Sequence, residues 1–166
     1  MNNKSVILVL GLFTLPMCTH AVAGQQAAET AAPANQNDAT SEALKAIQGK
    51  WKLVTMRAAG NDAPPQVIAT YKYEFKGDKL MITPDDPGGN GNFSIKLDPS
   101  AKPIATMDMT YLAGKNEGRT LSGIYALENG KLKICFAKDK RPSGFIATEE
   151  TGYGQMLIEL KRELEE

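Results

Sequence analysis

Between about residues 50 and 162, the chain repeats short stretches in which apolar and polar residues alternate, with turn-forming residues between them. Alternation with a period of two is typical of a β-strand that buries one face and exposes the other. The clearest hairpin signals are Gly77-Asp78 and Asn129-Gly130, which favour tight turns between antiparallel strands. The pattern predicts eight strands, at about residues 50–58, 71–76, 79–83, 93–97, 104–111, 119–128, 131–136 and 155–162.

A short helix is predicted directly before the first strand, over residues 41–48. Thr40 or Ser41 is a suitable N-cap, and Gly49 can adopt the left-handed conformation that commonly ends a helix. Two apolar residues of this segment, three positions apart, share one face of the helix. A helix so short is stable only when it packs on other elements, so we expect it to cover one end of the strands.

Eight antiparallel strands after a single helix predict an all-β fold, namely an eight-stranded antiparallel up-and-down barrel with a short N-terminal helix. A closed barrel leaves no free strand edge to which another chain could add. The interior of an eight-stranded barrel is wide enough to be filled by side chains or to hold one small ligand. The fold class alone therefore does not decide between a filled barrel and a cavity.

One end of the barrel has a specific predicted contact. Trp51 begins the inward-facing row of the first strand, and Arg162 ends the inward-facing row of the last strand. Because the first and last strands of a closed antiparallel barrel are neighbours, the two residues should lie side by side. We expect the Arg162 guanidinium to stack on the indole and close the barrel, a contact worth on the order of 0.5–2 kcal/mol. The alternative is that Arg162 lies in solvent.

The first 23 residues have the pattern of a secretory signal peptide. Lys4 supplies a positive N-terminal region, and residues 6–13 form an apolar core too short to span a bilayer. Ala21-Val22-Ala23 fits a signal-peptidase cleavage site. The alternative is a lipoprotein acylated on Cys18, but the residues before Cys18 include Pro and Met where small side chains are expected.

This assignment divides the chain into a signal peptide at residues 1–23, a flexible linker at residues 24–40 and a barrel domain at residues 41–163. The linker is rich in Ala, Gln, Asn and Thr and has no apolar periodicity. We expect the mature protein to begin at Gly24, to be periplasmic or secreted, and to have no stable membrane span.

Charge and composition narrow the possible chemistry. Basic and acidic residues number 19 each and no basic block stands out, so nucleic acid is not an expected partner. Signal cleavage would remove Cys18 and His20 and leave Cys135 as the single cysteine. A chain without histidine has no His-based triad and no histidine metal ligand. We therefore expect that the protein is not an enzyme and that it has no metal site and no cofactor. Cys135 is interpreted as a small buried side chain rather than a reactive thiol.

Several short motifs occur in one order and spacing between residues 48 and 162. They are Gln48-Gly49-x-Trp51, Phe75-Lys76-Gly77-Asp78, Leu97-Asp98-Pro99-Ser100, Lys102-Pro103, Asp108, Gly123-Ile124-Tyr125-Ala126-Leu127, Leu132-Lys133-Ile134-Cys135-Phe136-Ala137 and Arg141-Pro142-x-x-Phe145. Together they resemble an uncharacterised lipocalin-like domain family found in many copies in planctomycete-type bacteria. The resemblance implies an exported lipocalin-like barrel. It implies no activity, because no catalytic residue or cofactor is established for that family.

Two main classes of function are compatible with such a barrel. The first is a binding protein that holds a small apolar or amphipathic ligand at the mouth opposite Trp51. There Gly123 and Thr55 are expected to leave room above a filled floor. The second is an envelope module with a filled barrel, which binds a partner protein through its outer surface. An enzyme is the least expected class, because the sequence contains no catalytic motif.

The side chains expected to contact a ligand are polar or aromatic residues near the mouth. Arg141 has two interpretations, since it can fix a loop by donating hydrogen bonds to carbonyl groups or can meet an anionic ligand. The candidate set is Thr55, Arg57, Tyr73, Phe75, Tyr125 and Arg141.

Overall fold

Antiparallel strands follow one another around a closed barrel in the computed structural model, which describes residues 36–84 and 91–163. The strands are β1 (Gly49–Ala58), β2 (Asn61–Asp62), β3 (Lys72–Lys76), β4 (Lys79–Thr83), β5 (Asn92–Asp98), β6 (Thr106–Tyr111), β7 (Thr120–Glu128), β8 (Lys131–Ala137) and β9 (Gln155–Arg162). The two-residue β2 pairs only with the end of β1, so the barrel itself has eight strands. The predicted eight-stranded up-and-down barrel is confirmed.

The helical elements are α1 (Gln36–Ile47), α2 (Pro65–Thr70) and two 3₁₀ turns at Gly114–Asn116 and Gly152–Gly154. In the part of the chain that the structure describes, no helix combines the length and the apolar character needed to cross a membrane.

The barrel closes through β1 and β9. These strands pair from Trp51 with Arg162 at one end to Ala58 with Met156 at the other. On its other side, β1 pairs with β3 over residues 49–52 only. Pairing with β9 therefore provides most of the hydrogen bonding that holds β1 in the sheet.

Helix α1 covers the end of the barrel that contains Trp51. Ile47, the last residue of the helix, is fully buried, and the Trp51 indole N–H donates a 2.8 Å hydrogen bond to its carbonyl oxygen. Gln48 Nε2 donates to the carbonyl oxygens of Leu44 at 2.7 Å and Gly77 at 3.1 Å. Gln48 Oε1 in turn accepts the Gly77 N–H at 2.6 Å. One side chain thus ties the helix to the β3–β4 hairpin.

The start of α1 differs from the prediction. The helix begins at Gln36 rather than Ser41, so residues 36–40, assigned above to the flexible linker, are helical and Thr40 is not a cap. These residues have no apolar periodicity, and tertiary packing overrides their weak local preference for a helix. One such contact is a 3.5 Å hydrogen bond from Gln36 Nε2 to Ser100 Oγ in the β5–β6 connection. The predicted signal peptide and the rest of the predicted linker lie outside the described residues.

Arg162 joins the barrel floor to the end of α1. Its guanidinium carbon lies 4.4 Å from the ring centroid of Trp51. Its Nη2 donates a 2.6 Å hydrogen bond to the Ala46 carbonyl oxygen, and Nη1 donates to that of Gln48. The last carbonyl groups of a helix have no partner within the helix, so Arg162 satisfies acceptors that would otherwise need water.

The inward-facing side chains of the barrel form one apolar core, and most of its fully buried members lie towards α1. A tightly packed interior of this kind provides most of the free energy of folding. Its most deeply buried members are Trp51, Phe75, Leu80, Met107, Leu132, Ile134, Ile158 and Leu160.

A second, smaller group of buried side chains lies on the outer face of β7 and β8. Ile124 and Cys135 are partners in the β7–β8 register and are 2% and 0% exposed. The connection at residues 138–154 covers them, because Cys135 Sγ donates a 3.3 Å hydrogen bond to the Ile146 carbonyl oxygen. Ala147 of the same connection is also buried. The connection therefore forms an outer layer over the strands β7 and β8.

We predict that Arg162→Ala lowers the free energy of unfolding by about 1–3 kcal/mol, because it removes the indole contact and the hydrogen bonds to the carbonyl groups of Ala46 and Gln48. Lys161→Ala, on the neighbouring exposed residue, is the matched control and should change stability by less than about 0.5 kcal/mol. Urea unfolding monitored by Trp51 fluorescence measures both variants. Equal stability of the two variants would contradict a structural role for Arg162.

Candidate functional site

A β-bulge in β1 determines which side chains line the open end of the barrel. Leu53 pairs with Leu160 of β9, but Thr55 pairs with Glu159, so β1 contains one extra residue at this point. Such an insertion switches the alternation of inward and outward side chains. Leu53 faces the core before the bulge, and Met56 takes the inward position after it.

The bulge overturns the expected inward position of two candidate residues, Thr55 and Arg57. Both are exposed on the outer face. Arg57 Nε and Nη2 each donate a 2.7 Å hydrogen bond to the Asp62 carboxylate on β2. This pairing lowers the pKa of Asp62 and raises that of Arg57. Arg57 therefore holds a surface turn.

A cavity of about 350 Å³ opens at the barrel mouth opposite Trp51. Ligand pockets commonly range from about 300 to 1,000 Å³, so this volume suits a small molecule. The Phe93 and Tyr111 rings lie against each other in its wall with their centroids 4.6 Å apart. The apolar side chains that line it are Met56, Leu80, Ile82, Phe93, Met109, Leu121, Phe136, Met156 and Ile158.

Gly123 does not provide the room that the sequence suggested. A Cβ atom at this position would lie 2.9 Å from the Met107 carbonyl oxygen and 3.0 Å from the Cys135 carbonyl oxygen. Close approach of the neighbouring strands already uses the space that a side chain would occupy. The expected opening at Gly123 is therefore wrong, and Gly123 is not among the described residues that line the cavity.

Tyr73 places a hydroxyl group in the wall of the cavity. Aromatic and charged residues alternate along β3, which turns the Tyr73 ring inward and leaves it 4% exposed. In the sheet its partner is Trp51, a residue of the filled end. Burial, with a smaller contribution from Tyr71, raises the pKa of the hydroxyl far above its usual value, so it stays protonated. Among the described residues the hydroxyl has no hydrogen-bond partner, and it can therefore bond to a guest.

Phe75 and Tyr125 belong to the core rather than to the cavity wall. Phe75 is 2% exposed and lies one inward position deeper on β3 than Tyr73. Tyr125 is 6% exposed, and burial, followed by the charge of Asp98, raises its pKa. The structure therefore does not bring these two candidates to the mouth.

Arg141 lies outside the barrel, on the connection after β8. Its Nη1 donates to the Gly123 carbonyl oxygen, and its Nη2 donates to Asp108 Oδ2 at 3.1 Å. The same nitrogen lies 2.8 Å from Asp108 Oδ1 as an ion-pair contact without hydrogen-bond alignment. Of its two interpretations, this geometry supports the one in which Arg141 fixes a loop.

Several lining residues were missed by reasoning from the sequence. Met56 had a usable signal, since the apolar positions of β1 change from odd to even after Leu53. Arg119 and Lys138 also line the cavity. Lys138 stands just outside β8, where strand periodicity gives no direction. Arg119 had a usable signal, since it begins the predicted strand at residues 119–128 and lies two positions before the inward-facing Leu121. Tyr153 lies in the 3₁₀ turn before β9 and is 79% exposed at the mouth. Of the six predicted ligand contacts, only Tyr73 lines the cavity.

No protein-family model, no curated protein and no solved structure matches the chain. Its likeness to lipocalins is therefore a likeness of fold, an eight-stranded antiparallel barrel with a short N-terminal helix. Within residues 36–84 and 91–163, no group of three or more His, Cys, Asp or Glu side chains is placed to bind a metal ion.

We predict that Cys135 reacts with a soluble alkylating reagent at least about tenfold more slowly than it does in the unfolded chain. Burial raises the pKa of its thiol, more than offsetting the hydrogen bond to Ile146, so less thiolate forms at any pH below the raised value. Mass spectrometry of the Cys135 peptide after timed labelling at pH 8, with and without denaturant, gives both rates. Equal rates would mean that residues 138–154 do not protect this face.

Proposed function

We propose that the protein is an exported binding protein that holds a small apolar or amphipathic ligand at the barrel mouth. The observation that carries this proposal is the cavity of about 350 Å³, which nine apolar side chains line in a barrel whose other end consists of fully buried side chains. Export is supported by the signal-peptide pattern of residues 1–23.

An unfilled apolar cavity is unfavourable for folding. Protein interiors normally pack as densely as organic crystals, and each void removes van der Waals contacts and lowers stability. A ligand with an apolar body would restore those contacts and remove its own surface from water. The wall residues come from all eight barrel strands, so changes in any single loop would not readily close the space.

The wall also has the sparse polar character of a binding site. Pockets for small molecules are mostly apolar, with a few polar groups that orient the guest. The Tyr73 hydroxyl is such a group, because it is buried, protonated and without a partner in the described part of the chain.

Membership of the lipocalin-like family named above is part of the same proposal. In this structure, several motif residues hold the barrel together rather than line the cavity. Gln48 clamps the β3–β4 hairpin, Trp51 fills the floor, and Arg141 binds Asp108. Asp98 accepts hydrogen bonds from the backbone N–H and hydroxyl of Ser100 to hold a turn. Members of a family defined by these residues would share the fold, while the residues that line the mouth could differ between members.

We predict that a neutral apolar dye, N-phenylnaphthylamine, binds the purified protein saturably with a rise in dye fluorescence. Met156→Trp should weaken binding at least about tenfold, because the larger side chain occupies the cavity. Met81→Trp is the matched control, since Met81 is 41% exposed on the outside of β4, and it should leave binding unchanged.

Circular dichroism of both variants checks that the barrel is retained. Absence of saturable binding to the wild-type protein would contradict the proposal and favour a module that binds an envelope partner. Equal effects of the two variants would show that the dye binds elsewhere.

A further inference from the structure

Among the residues that the structure describes, the charged side chains that line the mouth are all of one sign. Arg119 and Lys138 contribute to the cavity wall, and none of its described lining residues is acidic. Within the described residues, neither cation forms an ion pair or a side-chain hydrogen bond. Elsewhere on the barrel, Lys52, Arg57 and Lys131 are paired with carboxylates. Unpaired surface lysines are common, so it is their shared position at an apolar cavity that makes these two cations informative.

Backbone hydrogen bonds fix the positions of both residues at the rim of the barrel mouth. Arg119 lies directly before β7, where its N–H donates to the Asn116 carbonyl oxygen at 2.9 Å and its own carbonyl accepts from Tyr111 at 3.0 Å. Lys138 lies directly after β8, and its N–H donates to the Gly154 carbonyl oxygen at 3.2 Å. Because β7 and β8 are adjacent in the sheet, the two side chains leave neighbouring positions of the rim.

We infer that the ligand is an amphipathic anion, with its apolar body in the cavity and its acidic head between Arg119 and Lys138. This inference rests on the proposed function and specifies the ligand class. A guanidinium and an ammonium group are the side chains that best bind carboxylate or phosphate oxygens. At the mouth, the head remains in contact with water, so the ligand is not forced to bury an unpaired charge.

The distribution of polar groups between the inner wall and the rim of the cavity supports this orientation of the ligand. The inner wall is apolar except for Tyr73, whose sheet partner Trp51 belongs to the filled end. An anionic head placed at that depth would meet one hydroxyl group and no cation among the described lining residues. The same head at the rim would meet two cations. The body therefore enters first, and the Tyr73 hydroxyl can bond to a polar atom on it.

The test compares decanoate, decyl phosphate, decanol and decyltrimethylammonium in calorimetric titrations of the purified protein. We expect the two anions to bind more tightly than decanol, the cation to bind most weakly, and added salt to weaken only the binding of the anions. A carboxylate preference and a phosphate preference are distinguished by the ratio of the two anion affinities.

Two variants test the residues directly. Arg119→Gln and Lys138→Gln should each weaken decanoate binding by about two- to fivefold, with a larger effect in the double variant, and should leave decanol binding unchanged. Lys76→Gln, at the end of β3 nearest α1, is the matched control and should change neither affinity.

The outcomes separate the two proposals. If decanol binds as tightly as decanoate and the mouth variants have no effect, the anionic head is refuted while the apolar site stands. If the mouth variants weaken decanol and decanoate equally, the cations act through structure and the inference also fails. If no compound binds, the proposed function fails with it.

Discussion

The pairing of β1 with β9 is the constraint on which the rest of this barrel depends, because it closes the sheet and fixes the side chains at both ends. At one end it brings Arg162 beside Trp51, where the guanidinium covers the indole and donates hydrogen bonds to the carbonyl groups of Ala46 in α1 and of Gln48 directly after it. Towards the other end its register shifts by one residue at the bulge, which turns Met56 inward. The same pair of strands thus seals the floor and shapes the mouth.

The two ends of the barrel have different physical roles. The end near α1 contains most of the fully buried side chains, and these supply the apolar burial that stabilises the fold. The mouth keeps a cavity whose lining makes fewer contacts than a filled interior would. Stability concentrated in one part of a domain allows another part to remain open for binding, a distribution seen widely in proteins. Burial at the end near α1 therefore offsets the stability that the cavity at the mouth costs.

The strand pattern was readable from the sequence because alternation and hairpin residues report local geometry, and all eight strands and their order followed from it. Positions set by non-local contacts were not readable. The start of α1 depends on packing, the partner of Arg141 lies 33 residues away, and the crowding at Gly123 comes from adjacent strands. The bulge was an intermediate case, since the apolar positions of β1 change parity but the change is easily overlooked. Lys138 lies beyond the end of β8, where periodicity stops, whereas Arg119 shares the inward parity of Leu121 in the predicted strand.

The central claim is that one end of the barrel is filled and the other accepts a guest. It is tested most directly by nuclear magnetic resonance of the isotope-labelled protein during titration with decanoate. We expect progressive, saturable shifts of the Met56 and Met156 methyl groups, with the Trp51 indole N–H and the Leu160 methyl groups almost unchanged. Shifts spread over the outer face of the barrel, or no shifts at the mouth, would contradict it.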